Sequence, residues 1–230
     1  IEIFIENRLT YARTFGKHDF SIMATYTEQQ IDGSYLEGAA FNGFPEPPYF
    51  WVLDASVTPT ISRGGEYSSA IRSYLGRATY NFDERYYVTG IIRYDGSSKF
   101  AEENRWGTFP SVSGGWNIAN EGFFNSGVIS DLKLRAGYGI VGNSSIGDYQ
   151  YQSLVQSSAI NGVNYNLGPN GDLYIGATRG SLANRDITWE TLKETNIGLD
   201  ISFFDGQLFL TGDFFMGNLE GLLADVAVPG

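Results

Sequence analysis

The stretch YYVTGIIRYDGSSKFAEENRWGTFPSVSGGWNI, residues 86–118, decides how the chain is read. In its first arm Tyr86, Val88, Ile92 and Tyr94 fall on one face. Thr89, Arg93 and Asp95 fall on the other, joined there by Tyr87 and Ile91. In its second arm Val112, Gly114, Trp116 and Ile118 oppose Ser111, Ser113, Gly115 and Asn117. A period of two places successive side chains on opposite sides of a sheet, so both arms are predicted strands. Between them, Asp95-Gly96-Ser97-Ser98 onward to Trp106-Gly107 carries turn residues and charges but no sustained apolar period. The stretch is a long β-hairpin.

The same plan repeats on both sides of it. Upstream, Ile3, Ile5, Leu9 and Tyr11 alternate with Glu2, Glu6, Arg8 and Thr10. A turn at Gly16-Lys17-His18-Asp19 leads into a strand marked by Phe20, Ile22, Ala24 and Tyr26. Residues 29–68, with Gly-rich and Pro-rich parts, are expected to form a long connection. Tyr74, Gly76, Ala78, Tyr80 and Phe82 then mark a third strand, closed by a tight Asp83-Glu84-Arg85 turn. Downstream, a connection over 119–130 precedes a strand with Leu132, Leu134, Ala136, Tyr138 and Ile140. A second long polar connection covers 143–186. Thr195, Ile197, Leu199, Ile201 and Phe203 form the next apolar face, and Asp205-Gly206 is a strong hairpin signal. Leu208, Leu210, Gly212, Phe214 and Met216 complete an eighth strand.

Composition agrees with an all-β chain. Glycine (29), tyrosine (15) and phenylalanine (16) are abundant, as expected where many short strands alternate with turns. The absence of cysteine excludes a disulfide scaffold and any Cys-based metal or redox site. A net charge of -11 argues against nucleic acid as a partner, because neutralising phosphates takes a basic face. No apolar run is long enough for a transmembrane helix, but a membrane-spanning strand needs only about 9–11 residues. Ile1 begins abruptly inside an alternating segment, so an internal fragment of a longer chain is expected.

Connection length separates the two ends of the predicted sheet. In a meander, alternate connections lie at opposite ends; here the short turns collect at one end and the long loops at the other. Outer-membrane barrels are wired this way, and sandwiches seldom are. Tyr11, Tyr26, Tyr80, Phe82, Tyr86, Tyr94, Trp116 and Phe203 near strand ends fit the aromatic girdles of such a barrel.

Several motifs carry no chemistry in this context. The glycines of Gly137-Tyr138-Gly139-Ile140-Val141-Gly142 match a dinucleotide fingerprint, but they lie inside a strand with no helix after it. His18 is the sole histidine and is expected to be a solvated turn residue, which leaves neither a triad nor a His-based metal site. Glu102-Glu103 sits in a charged loop tip, where solvation accounts for it. No catalytic residue, cofactor or metal ligand is predicted.

Longer blocks carry a resemblance. Arg93-Tyr94-Asp95-Gly96-Ser97-Ser98-Lys99-Phe100, Asn104-Arg105-Trp106-Gly107 and Phe109-Pro110-Ser111-Val112-Ser113 are similar to the SusC/RagA-like family of TonB-dependent outer-membrane transporters. The similarity continues through residues 129–139, Gly142-Asn143, Trp189-Glu190-Thr191, 195–200 and 204–208. Two departures are small: Lys99-Phe100-Ala101 stands where the family more often has Arg-Phe-Gly, and residues 182–186 replace a common Asn-Pro turn. The resemblance implies about eight strands of a 22-stranded barrel. The plug domain and the closing C-terminal strand lie outside the chain. It further implies import of oligosaccharide or peptide substrates across the cell outer membrane. The implied partners are outer-membrane lipids, a SusD-like surface lipoprotein, and TonB acting through the missing plug.

Two residue sets are candidates for contacts. Arg77, Arg93, Lys133, Arg135, Glu194, Asp200 and Asp213 are expected to face the lumen, toward the plug, because a cation facing mid-membrane lipid costs about 2–4 kcal/mol. The aromatic residues Trp51, Trp106, Tyr149, Tyr151, Tyr165 and Tyr174 lie in expected loops and are candidates for substrate contact. Two other architectures remain open from the sequence. One is a self-contained eight-stranded barrel, whose first and last strands would have to pair. The other is a soluble carbohydrate-binding or glycosidase β domain.

Overall fold

The computed structural model describes residues 1–40, 59–156, 164–167, 172–180 and 182–223. Eight strands form one antiparallel sheet. They are β1 (Glu2–Phe15), β2 (His18–Ala40), β3 (Pro59–Phe82), β4 (Tyr86–Ser97), β5 (Trp106–Asn117), β6 (Ile129–Asn143), β11 (Glu190–Phe203) and β12 (Leu208–Glu220). Four short strands lie between β6 and β11: β7 (Val155–Gln156), β8 (Asn164–Leu167), β9 (Asp172–Ile175) and β10 (Thr178–Arg179). The large sheet has the order β1-β2-β3-β4-β5-β6-β11-β12; β10 pairs with β7, and β8 with β9. Every neighbour in the large sheet is also a neighbour in sequence once the β7–β10 insertion is skipped. That is an up-and-down meander. Among the described residues β1 and β12 each have one partner strand, so the sheet is not a closed eight-stranded barrel.

The register aligns the alternation of all eight strands. One continuous row runs Phe15, His18, Phe82, Tyr86, Trp116, Leu134, Leu199 and Gly212. The face that holds this row also carries Leu9, Ile22, Val88, Ile92, Val112, Tyr138, Ile197, Leu210 and Phe214, all exposed. All seven charged residues of the lumen set fall on the opposite face. Phe209 and Phe215 of β12 depart from the pattern, standing exposed on the charged face.

Two strands run farther than periodicity predicts. Residues 29–40 and 59–68 were expected in a connection, yet β2 and β3 stay paired from His18↔Phe82 to Ala40↔Pro59. The extension mixes Gln29, Gln30, Asp32, Ser34, Glu66 and Ser68 with Ile31, Tyr35, Leu36 and Tyr67, so neither face is cleanly apolar. Alternation is therefore silent there, while the backbone ladder continues. The second long connection is likewise not wholly irregular, since it holds the β7–β10 and β8–β9 pairs.

Tight turns close the other end. Asp83 and Glu84 take φ of 54° and 55°, and Arg85 N–H donates to Phe82 O at 2.9 Å. Positive φ at both central residues matches the strand twist of a two-residue hairpin. Between β11 and β12 the residues with this conformation are Phe204 and Asp205, one position before the expected Asp205-Gly206 centre. Gly206 N–H donates to Phe203 O at 3.2 Å.

The small buried core lies at the long-loop end. Phe100 is 0% exposed, and Phe109 and Trp189 are each 6% exposed. Their rings meet at 5.2 Å, Phe100 with Trp189 and Phe109 with Trp189, and Ile71, Ile140, Ile146 and Ile187 pack around them. The β5–β6 ladder stops at Ser111↔Gly139, beside Pro110, which has no N–H to donate. Beyond that point the Phe109 ring occupies the place of a side chain at Gly142, where a Cβ would lie 2.1 Å from it. The Trp189 indole N–H donates to Arg105 O at 3.1 Å, tying the β4–β5 connection to the start of β11.

Candidate functional site

The apolar face bears two rows of rings. At the turn end Phe15 stacks on His18 at 5.2 Å, His18 meets Phe82 at 4.9 Å, Phe82 stacks on Tyr86 at 6.4 Å, and Tyr86 on Trp116 at 6.5 Å. His18 is thus a member of a ring row, hydrogen-bonded through Nδ1 to the Tyr80 hydroxyl at 2.7 Å, rather than a solvated turn residue. It is the first residue of β2, and its register places it between Phe15 and Phe82. At the loop end Tyr26 meets Tyr74 at 5.3 Å, and Trp106 lies 6.2 Å from Tyr74 and stacks on Tyr94 at 4.7 Å. The two rows are eight residues apart on β2, β3 and β4, His18 to Tyr26, Phe82 to Tyr74 and Tyr86 to Tyr94, and ten apart on β5, Trp116 to Trp106. Eight residues span about 27 Å along a strand, and somewhat less in height once the strand tilts.

The opposite face is polar and partly self-neutralised. Arg135 on β6 pairs with Asp200 on β11 through Nε at 2.7 Å and Nη2 at 3.0 Å, and reaches Asp213 on β12 at 3.2 Å. Arg135 and Gly198 are direct cross-strand partners. A Cβ at Gly198 would lie 2.8 Å from the guanidinium carbon and 2.5 Å from an Asp213 oxygen, so this glycine makes the bridge possible. Lys133 Nζ lies 4.5 Å over the Tyr87 ring, and Arg93 pairs with Asp95 at 2.7 Å. A groove of about 380 Å3 runs past Tyr87, Ser113, Gly115, Lys133, Arg135 and Asn196. Arg77 and Glu194 share one register row, through Ile91, Ser111 and Gly139. Among the described residues neither has an ion-pair partner.

A further charge network lies among the short turns. Lys17 pairs with Asp83 at 2.7 Å, and Arg85 joins Asp83 at 2.6 Å to Glu121 at 3.2 Å. Glu121 also accepts from the Tyr86 hydroxyl at 2.5 Å and the Trp116 indole N–H at 3.0 Å. The bond from Tyr86, then that from Trp116 and the Arg85 guanidinium, hold its carboxyl below the usual range. The Lys17 ammonium does the same for Asp83, with Arg85 adding to it.

The aromatic loop candidates fall into separate groups. Trp106 is the first residue of β5, set opposite Gly96 in the second ring row, and so belongs to the wall and not to a loop tip. Periodicity missed it because Gly96 and Gly107 interrupt the apolar pattern on both arms. Tyr149 and Tyr151 come from the segment after β6 and meet Trp106 at a cavity of about 310 Å3. Tyr165 and Tyr174 are direct cross-strand partners on β8 and β9, both exposed and away from that cavity. Trp51 lies outside the described residues.

An apolar band between two ring rows, backed by a charged face, is the wall of a membrane barrel. The sequence model of the family described as TonB dependent receptor-like, beta-barrel matches residues 4–230. The chain belongs to that family.

Among TonB-dependent receptors it is 35% identical over 222 residues to SusC of Bacteroides thetaiotaomicron, covering 95% of this chain and 21% of SusC. A TonB-dependent receptor of Formosa agariphila is 31% identical over 227 residues, covering 97% of this chain and 22% of its own length. The solved structure of the RagAB peptide transporter superposes with a TM-score of 0.83 at 27% identity, covering 99% of this chain and 24% of the RagAB chain. The RagAB peptide importer in its open-open state gives 0.82 with the same coverage. The chain therefore spans about a fifth of the curated relatives it matches. It is a SusC/RagA-like segment of an outer-membrane β-barrel, with one apolar and one charged face.

Proposed function

We propose that this segment is part of the wall of a TonB-dependent importer carrying glycan oligomers or peptides across the outer membrane, working with a SusD-like surface lipoprotein. The observation that carries the reading is the division of one sheet into a lipid-length apolar band and a charged lumen face. The names of its relatives support it: SusC is a TonB-dependent receptor, and RagAB is titled a peptide transporter and importer.

In this reading the segment performs no bond chemistry. It supplies wall, lumen lining and external loops, and the work of import comes from TonB acting on a plug domain. Arg135, Asp200 and Asp213 satisfy one another and stiffen the wall. Arg77 and Glu194 remain available to the plug, at one depth on β3 and β11. Four strand spacings separate them, about 19 Å, too far for direct pairing across the wall. Tyr165 and Tyr174 stand where a substrate or a lipoprotein lid would be met, and Trp106 faces outward and is not part of the import path.

The test is uptake of a fluorescent oligosaccharide or peptide by cells carrying the complete receptor. Periplasmic accumulation is expected to require the receptor, TonB and the SusD-like lipoprotein together. Accumulation that persists without TonB would overturn the reading.

A further inference from the structure

The cavity that gathers Trp106, Tyr149 and Tyr151 lies on the outside of the wall, away from the lumen path. Of its strand-borne lining residues, Glu28, Ser68, Ala70, Arg72, Gly96 and Trp106 belong to the outward face, and Ile71 comes from the other. Its floor is the second ring row, so it opens just beyond the apolar band, at the level of lipid headgroups.

Three properties of the lining define what it accepts. The first is that its charges cancel: Glu28 is paired with Arg72 at 2.9 Å, leaving one further cation, Arg105, and one further anion, Asp148. The second is that Arg105 and Asp148 are unsatisfied. Neither side chain has an ion-pair or hydrogen-bond partner among the described residues; Arg105 Nε and Asp148 Oδ1 are enclosed, which leaves the outer guanidinium nitrogens and Asp148 Oδ2 to meet a ligand. A ligand that supplies both an acceptor and a donor suits the pair. The third is aromatic surface held in place. The Tyr149 hydroxyl accepts from Ser68 N–H at 3.0 Å and donates to Ser68 O at 3.2 Å, at the β3 edge left free where β4 ends. Trp106 is fixed by its stack on Tyr94.

From these we infer that the cavity binds a sugar ring. Sugar hydroxyls both accept and donate, which suits the Arg105 guanidinium and the Asp148 carboxylate, and the apolar face of a pyranose packs on Trp and Tyr rings. A free phosphate would satisfy Arg105 but meet the Asp148 carboxylate, and a simple acyl chain would leave both unsatisfied. The volume of about 310 Å3 is at the small end for ligand sites and suits a single sugar unit. That unit has two possible sources, a soluble glycan or the saccharide headgroup of a glycolipid in the outer leaflet. The inference rests on the outward orientation of this face and not on what the lumen imports.

The experiment uses the complete receptor, purified in detergent and screened on an array of neutral glycans and lipopolysaccharide core oligosaccharides. Affinity is then measured for the unchanged receptor, Trp106→Ala, Asp148→Asn and, as a distant control at the turn end, Phe123→Ala. Binding to at least one saccharide is expected, weakened about tenfold in Trp106→Ala and Asp148→Asn and unchanged in the control. Asp148→Asn removes only the acceptor charge in a loop, so its heat-modifiable mobility on gels should match the unchanged receptor and exclude misfolding. Lipopolysaccharide that co-purifies with the unchanged receptor, but not with Asp148→Asn, assigns the leaflet as the source. Retention of neutral glycans alone assigns soluble glycan. No saccharide bound, or equal binding by all four proteins, overturns the proposal. Uptake by Asp148→Asn cells is expected to remain normal, which separates this site from the import reading.

Discussion

Arg135 crosses the backbone of Gly198, its direct cross-strand partner, to reach carboxylates on two successive strands. The bridge joins β6, β11 and β12 on the lumen side, and it depends on a residue with no side chain. Gly198→Ala would set a Cβ 2.5 Å from Asp213 Oδ1 and 2.8 Å from the guanidinium carbon, neither of which leaves room. Both atoms end flexible, partly exposed side chains, so the clash is relieved by displacing the bridge, a loss of about 0.2–1 kcal/mol. Thermal unfolding of the complete barrel should show that loss, and a transition identical to the unchanged protein would refute the crossing.

Neighbouring residues on β11 test the orientation of the wall. Ile197 lies on the apolar face, proposed to meet lipid, and Asn196 on the charged face, proposed to line the lumen. Ile197→Arg is expected to cost about 2–4 kcal/mol at mid-membrane and to lower the amount of folded receptor in the outer membrane. Asn196→Arg should be tolerated. The reverse ranking in a membrane-fraction assay would mean that the faces are exchanged.

Trp189 holds the loop end together. It is 6% exposed, touches Phe100 and Phe109, and donates to Arg105 O. Trp189→Ala is expected to cost about 3–5 kcal/mol locally, because it leaves a cavity and removes one of the two hydrogen bonds to Arg105 O, the other coming from Ser97 N–H. Limited proteolysis should then cut the segments 98–105 and 144–189 sooner. Unchanged cleavage kinetics would show that these loops are held by other contacts.

The turn-end network makes an acid limb. The carboxyls of Glu121 and Asp83 titrate below their unfolded values, so both groups contribute stability that is complete above the ordinary carboxylate range. That contribution is lost as pH falls through their lowered values. Glu121→Gln should therefore flatten the fall in unfolding temperature under acid while changing little near neutral pH beyond a constant offset. An acid limb as steep as that of the unchanged protein would place the titrating groups elsewhere.

The second ring row offers a stability test that is separate from ligand binding. Tyr94 stacks on Trp106, and Tyr94→Ala removes that support at the membrane boundary. Stacked pairs are worth about 0.5–1.5 kcal/mol beyond burial, so a modest drop in unfolding temperature is expected. Loss of assembly altogether would show that this ring is needed for insertion.

Most of the wall was legible in the sequence because the membrane enforces it. Each strand between the ring rows meets lipid on one side and the polar lumen on the other, so a period of two is written into residues such as Val88, Ile92, Leu134, Leu199 and Leu210. The faces of the seven charged lumen residues, the eight strands and the sorting of connections by length all follow from that rule. His18 and Trp106 escaped it because each sits at a strand terminus beside turn residues, where one ring has no periodic neighbour.

What the sequence by itself determined was the sheet, its sidedness and the end at which the long loops collect, since these are properties of local alternation. Only the tertiary structure decided how far β2 and β3 continue beyond the apolar band, where polar and apolar residues mix on both faces and the backbone ladder continues. It also decided which charges neutralise one another, as Arg135 does with Asp200 and Asp213. The meeting of Trp106 with Tyr149 and Tyr151 across more than forty residues of chain was decided there too. Those relations depend on register and on the return path of a loop, and neither leaves a period in the sequence.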